Sequence, residues 1–133
     1  MRIGELAARA GTTTRTLRYY ESRGLLPARR DGNGHRTYDE RDVKLLEQIR
    51  TLRDFGFDLE ETRPFVECLR AGHDEGDRCP ASLAVYRRKL AELDGLIGEL
   101  RGVRSMVAAQ LARAEAAVPE SPEPRCELGG DPW

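Results

Sequence analysis

From Leu83 to Val118 apolar side chains return at intervals of three and four: Leu83, Tyr86, Leu90, Leu93, Ile97, Leu100, Val107, Leu111, Ala114 and Val118, with Arg104 the one polar occupant of the series. That is heptad spacing, the pattern of a helix that lays one apolar seam against another helix. Pro80 suits the first helical position, with Cys79 near the cap. At ~1.5 Å per residue such a helix runs on the order of 55 Å. The chain has 133 residues, and a head built from the remainder is too small to cover so long a seam. The helix needs a partner, and the cheapest partner is a second copy of itself. A mainly α-helical homodimer joined by a coiled coil is the first expectation. Beyond Pro119 the tail "ESPEPRCELGGDPW" is rich in Pro and Gly and reads as non-helical, mobile chain.

The other end of the chain has a different character. Residues 1–50 hold eleven Arg and Lys against seven Asp and Glu, whereas residues 51–133 hold eleven against sixteen, so a net charge of −1 conceals a basic head and an acidic body. A basic third suggests a surface that meets a polyanion. Its first segment, "IGELAAR", spaces Ile3, Leu6, Ala7 and Ala10 as a short helix that Gly11 stops. Thr12 or Thr13 then caps a second helix from about Thr14 to Arg23, with Leu17 and Tyr20 on one face and Gly24 at its end. Two short helices about a Gly-containing turn make a helix-turn-helix. Pro27 blocks further helix, and "DGNG" is a hairpin turn signal that joins Ala28–Arg30 to His35–Tyr38 as a two-stranded wing. Asp39 caps a third helix through about Phe55, and Asp58 a fourth that contains Leu59, Phe65, Val66 and Leu69. Pro64 fits that helix only in its first turn or at a kink. This divides the chain into a head (1–38), connecting helices (39–78), a dimerisation helix (79–118) and a tail (119–133).

Several function classes drop out. No apolar run approaches the ~20 residues that cross a bilayer, and the N-terminus has no signal-peptide core, so a cytoplasmic, non-membrane protein is expected. Three widely spaced cysteines do not form a disulfide scaffold. No nucleophile–base pair, phosphate loop or paired acids suggest an enzyme.

The string "TLRYYESRGLL", followed by a wing ending "HRTY", two more helices and one long C-terminal helix, resembles the MerR family of transcription regulators over residues 1 to about 118. The resemblance implies a winged helix-turn-helix head and a homodimer whose long helices pair antiparallel. It implies binding to double-stranded promoter DNA, which is bent and twisted so that RNA polymerase can use misaligned elements. A recognition helix enters the major groove by its N-terminal residues, here Thr13, Thr14, Arg15 and Thr16. Arg18 and Tyr19 match the family's "LRYY" and are expected to grip the backbone. Tyr20 either packs below the helix or hydrogen-bonds a phosphate. Arg36 and Tyr38 match "R-x-Y" and are expected to hold phosphates, with Arg29, Arg30 and His35 adding contacts to a salt-dependent clamp.

The inducer is the open question. Metal-sensing relatives place a Cys or Ser at the start of the long helix and two or more Cys in a loop after it. Cys79 matches the first position and Cys126 one of the loop positions; a second loop cysteine is missing. Cys68 and His73 precede Cys79 and can add donors, so that Cys68 and Cys79 with Cys126 of the partner subunit form a thiolate site at the dimer interface, supplemented by His73 or by Asp74, Glu75 or Asp77. Thiolates of this kind suit a soft or borderline ion such as Hg(II), Zn(II), Cd(II) or Pb(II). The spacing Cys68-x4-His73-x5-Cys79 is no standard zinc pattern, and Cys68 buried in its helix with His73 in solvent is the plain alternative. A thiol near a helix N-terminus also has a lowered pKa, so a redox or electrophile switch stays open, as does a DNA-bending architectural factor with no inducer.

Overall fold

In the computed structural model, residues 1–118 are described. They fold as α1 (Ile3–Ala10), α2 (Thr14–Ser22), β1 (Arg29–Arg30), β2 (Arg36–Thr37), α3 (Glu40–Asp54), a 3-10 turn (Glu60–Thr62), α4 (Arg63–Arg70) and α5 (Pro80–Ala117). The chain divides into two units, residues 1–90 and residues 91 onward. None of the described helices is long and apolar enough to cross a membrane.

Local chemistry sets most boundaries in the first unit. Gly11, in the left-handed region, closes α1. Thr13 caps α2, its Oγ1 accepting from the Thr16 N–H at 3.1 Å. The hairpin pairs Arg29 with Thr37 and Arg30 with Arg36. At its tip the Asp31 carboxylate accepts from the backbone N–H groups of Asn33 (2.9 Å) and His35 (3.0 Å), and Gly34 takes a φ of 81° that a side chain resists. Those two N–H groups hold the Asp31 pKa below the usual carboxylate range, His35 contributing most. Asp39 and Asp42 make a capping box at the start of α3.

The fourth helix departs from expectation. Asp58 and Glu61 exchange side-chain-to-backbone hydrogen bonds of 2.9 Å each, but they cap the 3-10 turn, and α4 begins at Arg63. Pro64 therefore lies in the first turn of α4, where its missing N–H costs nothing.

One core cluster joins α1, α2, the wing and α3 through Leu6, Leu17, Leu25, Leu26, Tyr38, Val43, Leu46 and Ile49. A second, of Leu52, Phe57, Phe65 and Val85 with Tyr86 against it, seats the first turns of α5. The Phe65 and Tyr86 rings lie 5.0 Å apart. Lys89 is buried, 3.2 Å from Glu61 and 5.2 Å from the Phe57 ring centre. Ser82, Val85, Tyr86 and Lys89 thus form the head-facing row of α5, so Tyr86 leaves the seam to which its spacing assigned it. Within the second unit, Leu93, Leu96, Ile97, Leu100, Val103, Val107 and Leu111 are exposed. Leu96 and Val103 widen the apolar stripe beyond the strict heptad positions.

Candidate DNA-facing surface and metal-ligating cluster

The cap that starts α2 also displays its first turn. Thr13 and Arg15 are exposed, and Thr14 and Thr16 are half-buried; the Thr13 hydroxyl donates to Thr16 Oγ1 at 3.1 Å, so part of its capacity is spent on the cap. One turn on, Arg18 and Tyr19 are exposed. Tyr20 packs against the first core cluster, which favours the packing role for its ring.

Between α2 and the wing lies an open concavity of about 750 Å³, lined among others by Arg2, Arg18, Glu21, Arg30, His35 and Arg36. Four arginines face one carboxylate there, a charge balance that suits a phosphate backbone. Arg2 escaped the sequence reading. It arrives because the Tyr38 N–H donates to the Met1 carbonyl at 2.9 Å, a long-range pairing that nothing local announces.

Glu21 is the other missed residue. Its side chain is 11% exposed, with Oε1 2.7 Å from Arg36 Nε, while Oε2 accepts from the Tyr38 hydroxyl at 3.0 Å. It locks the wing to α2. Its signal was a carboxylate one turn after Arg18 in the "LRYYE" string, but which basic group it meets depends on the fold.

Tyr38 stands differently from the expectation that it holds a phosphate. It is 2% exposed, in the core, with its hydroxyl turned inward to Glu21. Burial first, then the bond to Glu21, pushes its pKa up to about 12, so it remains a neutral donor. The physical reason is the short wing: the chain turns into the Asp39 cap directly after β2, and this carries the Tyr38 ring beneath α2. The wing arginines are also partly engaged. Arg29 donates to Asp42 at 2.5 Å and lies 3.5 Å from Asp39, and Arg30 donates to the Gly34 carbonyl at 2.7 Å. Arg2, Arg15 and Arg18, by contrast, make no side-chain ion pair among the described residues.

The second cluster forms where α4 meets α5. Cys68 is buried in the last turns of α4, His73 is exposed on the following loop, and Cys79 immediately precedes α5 and is partly buried. The Cys79 carbonyl accepts the first helical bonds, from Ser82 (3.0 Å) and Leu83 (3.3 Å). The sulfur atoms of both cysteines and a ring nitrogen of His73 all lie within 4.8 Å of one another. Gly72, at φ 102°, reverses the chain and returns His73 toward Cys68, whose carbonyl accepts the His73 N–H at 3.4 Å.

The loop is held from three helices. Lys44 of α3 donates to the Asp74 carbonyl, Cys68 Sγ to the Glu75 carbonyl at 3.5 Å, and Ser82 of α5 to the Gly76 carbonyl at 2.6 Å. Arg78 pairs with Asp74 (3.2 Å) and Asp77 (3.3 Å), and Tyr86 donates to Asp77 at 3.1 Å. Those two carboxylates are therefore occupied elsewhere. The Cys79 thiol pKa is raised, chiefly by its hydrogen bond with Cys68, then by burial and by repulsion from that sulfur. This is opposite to the lowering expected of a helix N-terminus. Two sulfurs and an imidazole are a donor set for a borderline or soft divalent ion. Cys126, the remaining sequence candidate, lies outside the described residues.

Two family descriptions match the chain. The family described as MerR HTH family regulatory protein matches residues 1–67, and the MerR DNA-binding family matches residues 43–110. The chain is 39% identical over 105 residues to the HTH-type transcriptional regulator HmrR of Rhizobium leguminosarum bv. viciae, covering 78% of each. Of several longer curated relatives it spans half or less. It is similar to the transcription regulator PbrR691 of Ralstonia metallidurans CH34 in complex with lead(II), at TM-score 0.62 and 32% identity over 93% of this chain and 92% of that one. It is also similar to HiNmlR, a MerR family regulator lacking the sensor domain and bound to promoter DNA, at TM-score 0.55 and 26% identity over 87% and 90%. With the helix-turn-helix, wing and long helix in place, the chain belongs to the MerR family of DNA-binding transcription regulators and is not an enzyme.

Proposed function

We propose that this regulator works as a homodimer on promoter DNA, distorts it for RNA polymerase, and responds to a soft or borderline metal ion, Hg, Zn, Cd or Pb, held by cysteines at the base of α5. The observation that carries the metal reading is the convergence of Cys68, His73 and Cys79 within 4.8 Å. A lead(II)-bound structural relative supports the ion class. Arg15, Arg18 and Tyr19 would meet DNA from α2, with Arg2, Arg30, His35 and Arg36 around the concavity. Metal and DNA must then be linked: an ion that changes operator affinity must itself bind more or less tightly on the operator, by the same factor.

The test is promoter binding and in vitro transcription by the reduced protein with each ion and with chelator. At least one ion is expected to change transcript yield severalfold, and Cys79→Ser to abolish the response. If no ion alters either readout, the metal reading falls.

One observation favours a second reading. The Cys68 and Cys79 sulfur atoms lie within 4.8 Å of one another and could close a disulfide under an oxidant. A transcription change with mild oxidant in the presence of chelator, with loss of two free thiols by mass, would select that reading instead.

A further inference from the structure

We propose that the ion's primary seat is complete within one protomer: Cys68 Sγ, a His73 ring nitrogen and Cys79 Sγ form a three-donor centre for a tetrahedral divalent ion of the Zn(II) or Cd(II) class. This rests on the metal-responsive reading above and specifies its site.

All three donors belong to residues 68–79 of a single chain and to the first structural unit. None has to arrive from the tail or from a second copy. The supports are in place before an ion binds. Cys68 is fixed by its burial in α4, Cys79 by its position at the start of α5, and His73 by the reversal at Gly72. In a tetrahedral site with metal–sulfur bonds of ~2.3 Å and metal–nitrogen bonds of ~2.0 Å, ligand atoms sit roughly 3.5–3.8 Å apart. The donors here, within 4.8 Å, need at most about 1.3 Å of closure to reach that spacing, and the His73 side chain is exposed on a backbone already turned toward Cys68. Asp74 and Asp77 are engaged by Arg78 and Tyr86, which leaves a mixed sulfur–nitrogen set. A two-coordinate ion such as Cu(I) would use the two sulfurs and leave the imidazole without a role. Three protein donors leave a fourth position for water or one further ligand, the arrangement of an open rather than a closed site.

The balance of the binding step is simple. The ion forms two metal–thiolate bonds and one metal–imidazole bond, and the two thiol protons leave to solvent. One of those protons is the one Cys68 directs at the Glu75 carbonyl, so loading removes a bond that holds the loop. It also ties the end of α4 to the start of α5, the two helices that share Phe65, Val85 and Tyr86.

Titration of the reduced full chain with Co(II), then displacement by Zn(II), tests this directly. One ion per protomer is expected, with a tetrahedral Co(II) spectrum and thiolate charge-transfer bands from two sulfurs. Cys126→Ser should keep the stoichiometry and spectrum. Cys68→Ser should lose the spectrum. Because Cys68 is buried and its replacement can disturb the fold, His73→Ala at the exposed loop is the second arm: Zn(II) affinity should fall about tenfold or more, with Cu(I) affinity unchanged. Wild-type binding by His73→Ala and a folded Cys68→Ser, or loss of binding in Cys126→Ser, overturns the proposal. A tight ion in this centre with no effect on transcription would sink the regulatory reading and leave the site standing. A transcription response that needs Cys126 but not Cys68 would do the reverse.

Discussion

Arg36 and Tyr38 belong to one short string, and Glu21 meets both: its Oε1 pairs with the Arg36 guanidinium and its Oε2 accepts from the Tyr38 hydroxyl. Arg36 keeps its guanidinium at the rim of the concavity, while Tyr38 gives its hydroxyl to the core. Removing that hydroxyl leaves Glu21 with Arg36 as partner, so Tyr38→Phe should cost only about 0.5–1.5 kcal/mol of stability and leave DNA affinity unchanged. A loss of affinity with unaltered stability would instead mean that Tyr38 holds a phosphate. The same residue sets an alkaline limit. Its folded pKa of about 12 lies above the ordinary value of 10.0, so folding favours the neutral phenol. That contribution is complete below pH ~10 and is lost as the pH rises through about 12. By linkage it amounts to roughly 2–3 kcal/mol. Urea unfolding between pH 9 and 12 should show the decline in the native protein and a smaller one in Tyr38→Phe. Identical slopes would remove Tyr38 from the account.

At the scale of elements, the arginines of the head divide by engagement rather than by position in sequence. Arg29 is tied to Asp42, itself 1% exposed and already accepting the Asp39 N–H, so it secures β1 to the cap of α3. Arg18 rides α2 with no partner among the described residues. Each phosphate contact contributes about −0.9 to the slope of log affinity against log salt. Arg18→Ala should therefore weaken operator binding and flatten that slope by about one, whereas Arg29→Ala should lower thermal stability and leave the slope unchanged. Equal slopes for Arg18→Ala and the parent would remove Arg18 from the DNA surface. Engagement of this kind is invisible in a string of arginines, because the partner carboxylates of Arg29 are set by contacts 10 and 13 residues away. The helices and turns, in contrast, were legible because their signals are local: Gly11, Thr13, Asp39 and the Asp31–Gly34 turn each satisfy neighbouring backbone. The start of α4 was misread because Asp58 caps a 3-10 turn with the same chemistry that caps a helix. The ligating cluster was half legible. Residue types suggested it, but only the reversal at Gly72 brings an x4–x5 spacing onto one point.

For the whole molecule, the open term is the stripe on α5. Gly95, Gly98 and Gly102 lie inside this helix, each costing about 0.8–1.0 kcal/mol relative to Ala, and a Cβ at any of them would meet open space. Those residues weaken an isolated helix, while Leu93, Leu96, Ile97, Leu100 and Val103 stand exposed beside them. A long helix with poor intrinsic propensity and an uncovered apolar stripe gains its stability from packing against another helix. In the proposed homodimer a second copy would supply a matching stripe and, with it, a second DNA-binding head. Two heads on one operator make the second contact intramolecular, which raises affinity by about 10²–10⁴ when the geometry permits both. The double variant Ile97→Asp, Leu100→Asp places two charges in that stripe and alters no residue of 1–90. It should sediment as a monomer and bind the operator at least ~10²-fold more weakly, while far-ultraviolet circular dichroism still reports a helical head. A variant that stays dimeric would show that the copies meet elsewhere, and a monomer with undiminished operator affinity would show that one head suffices.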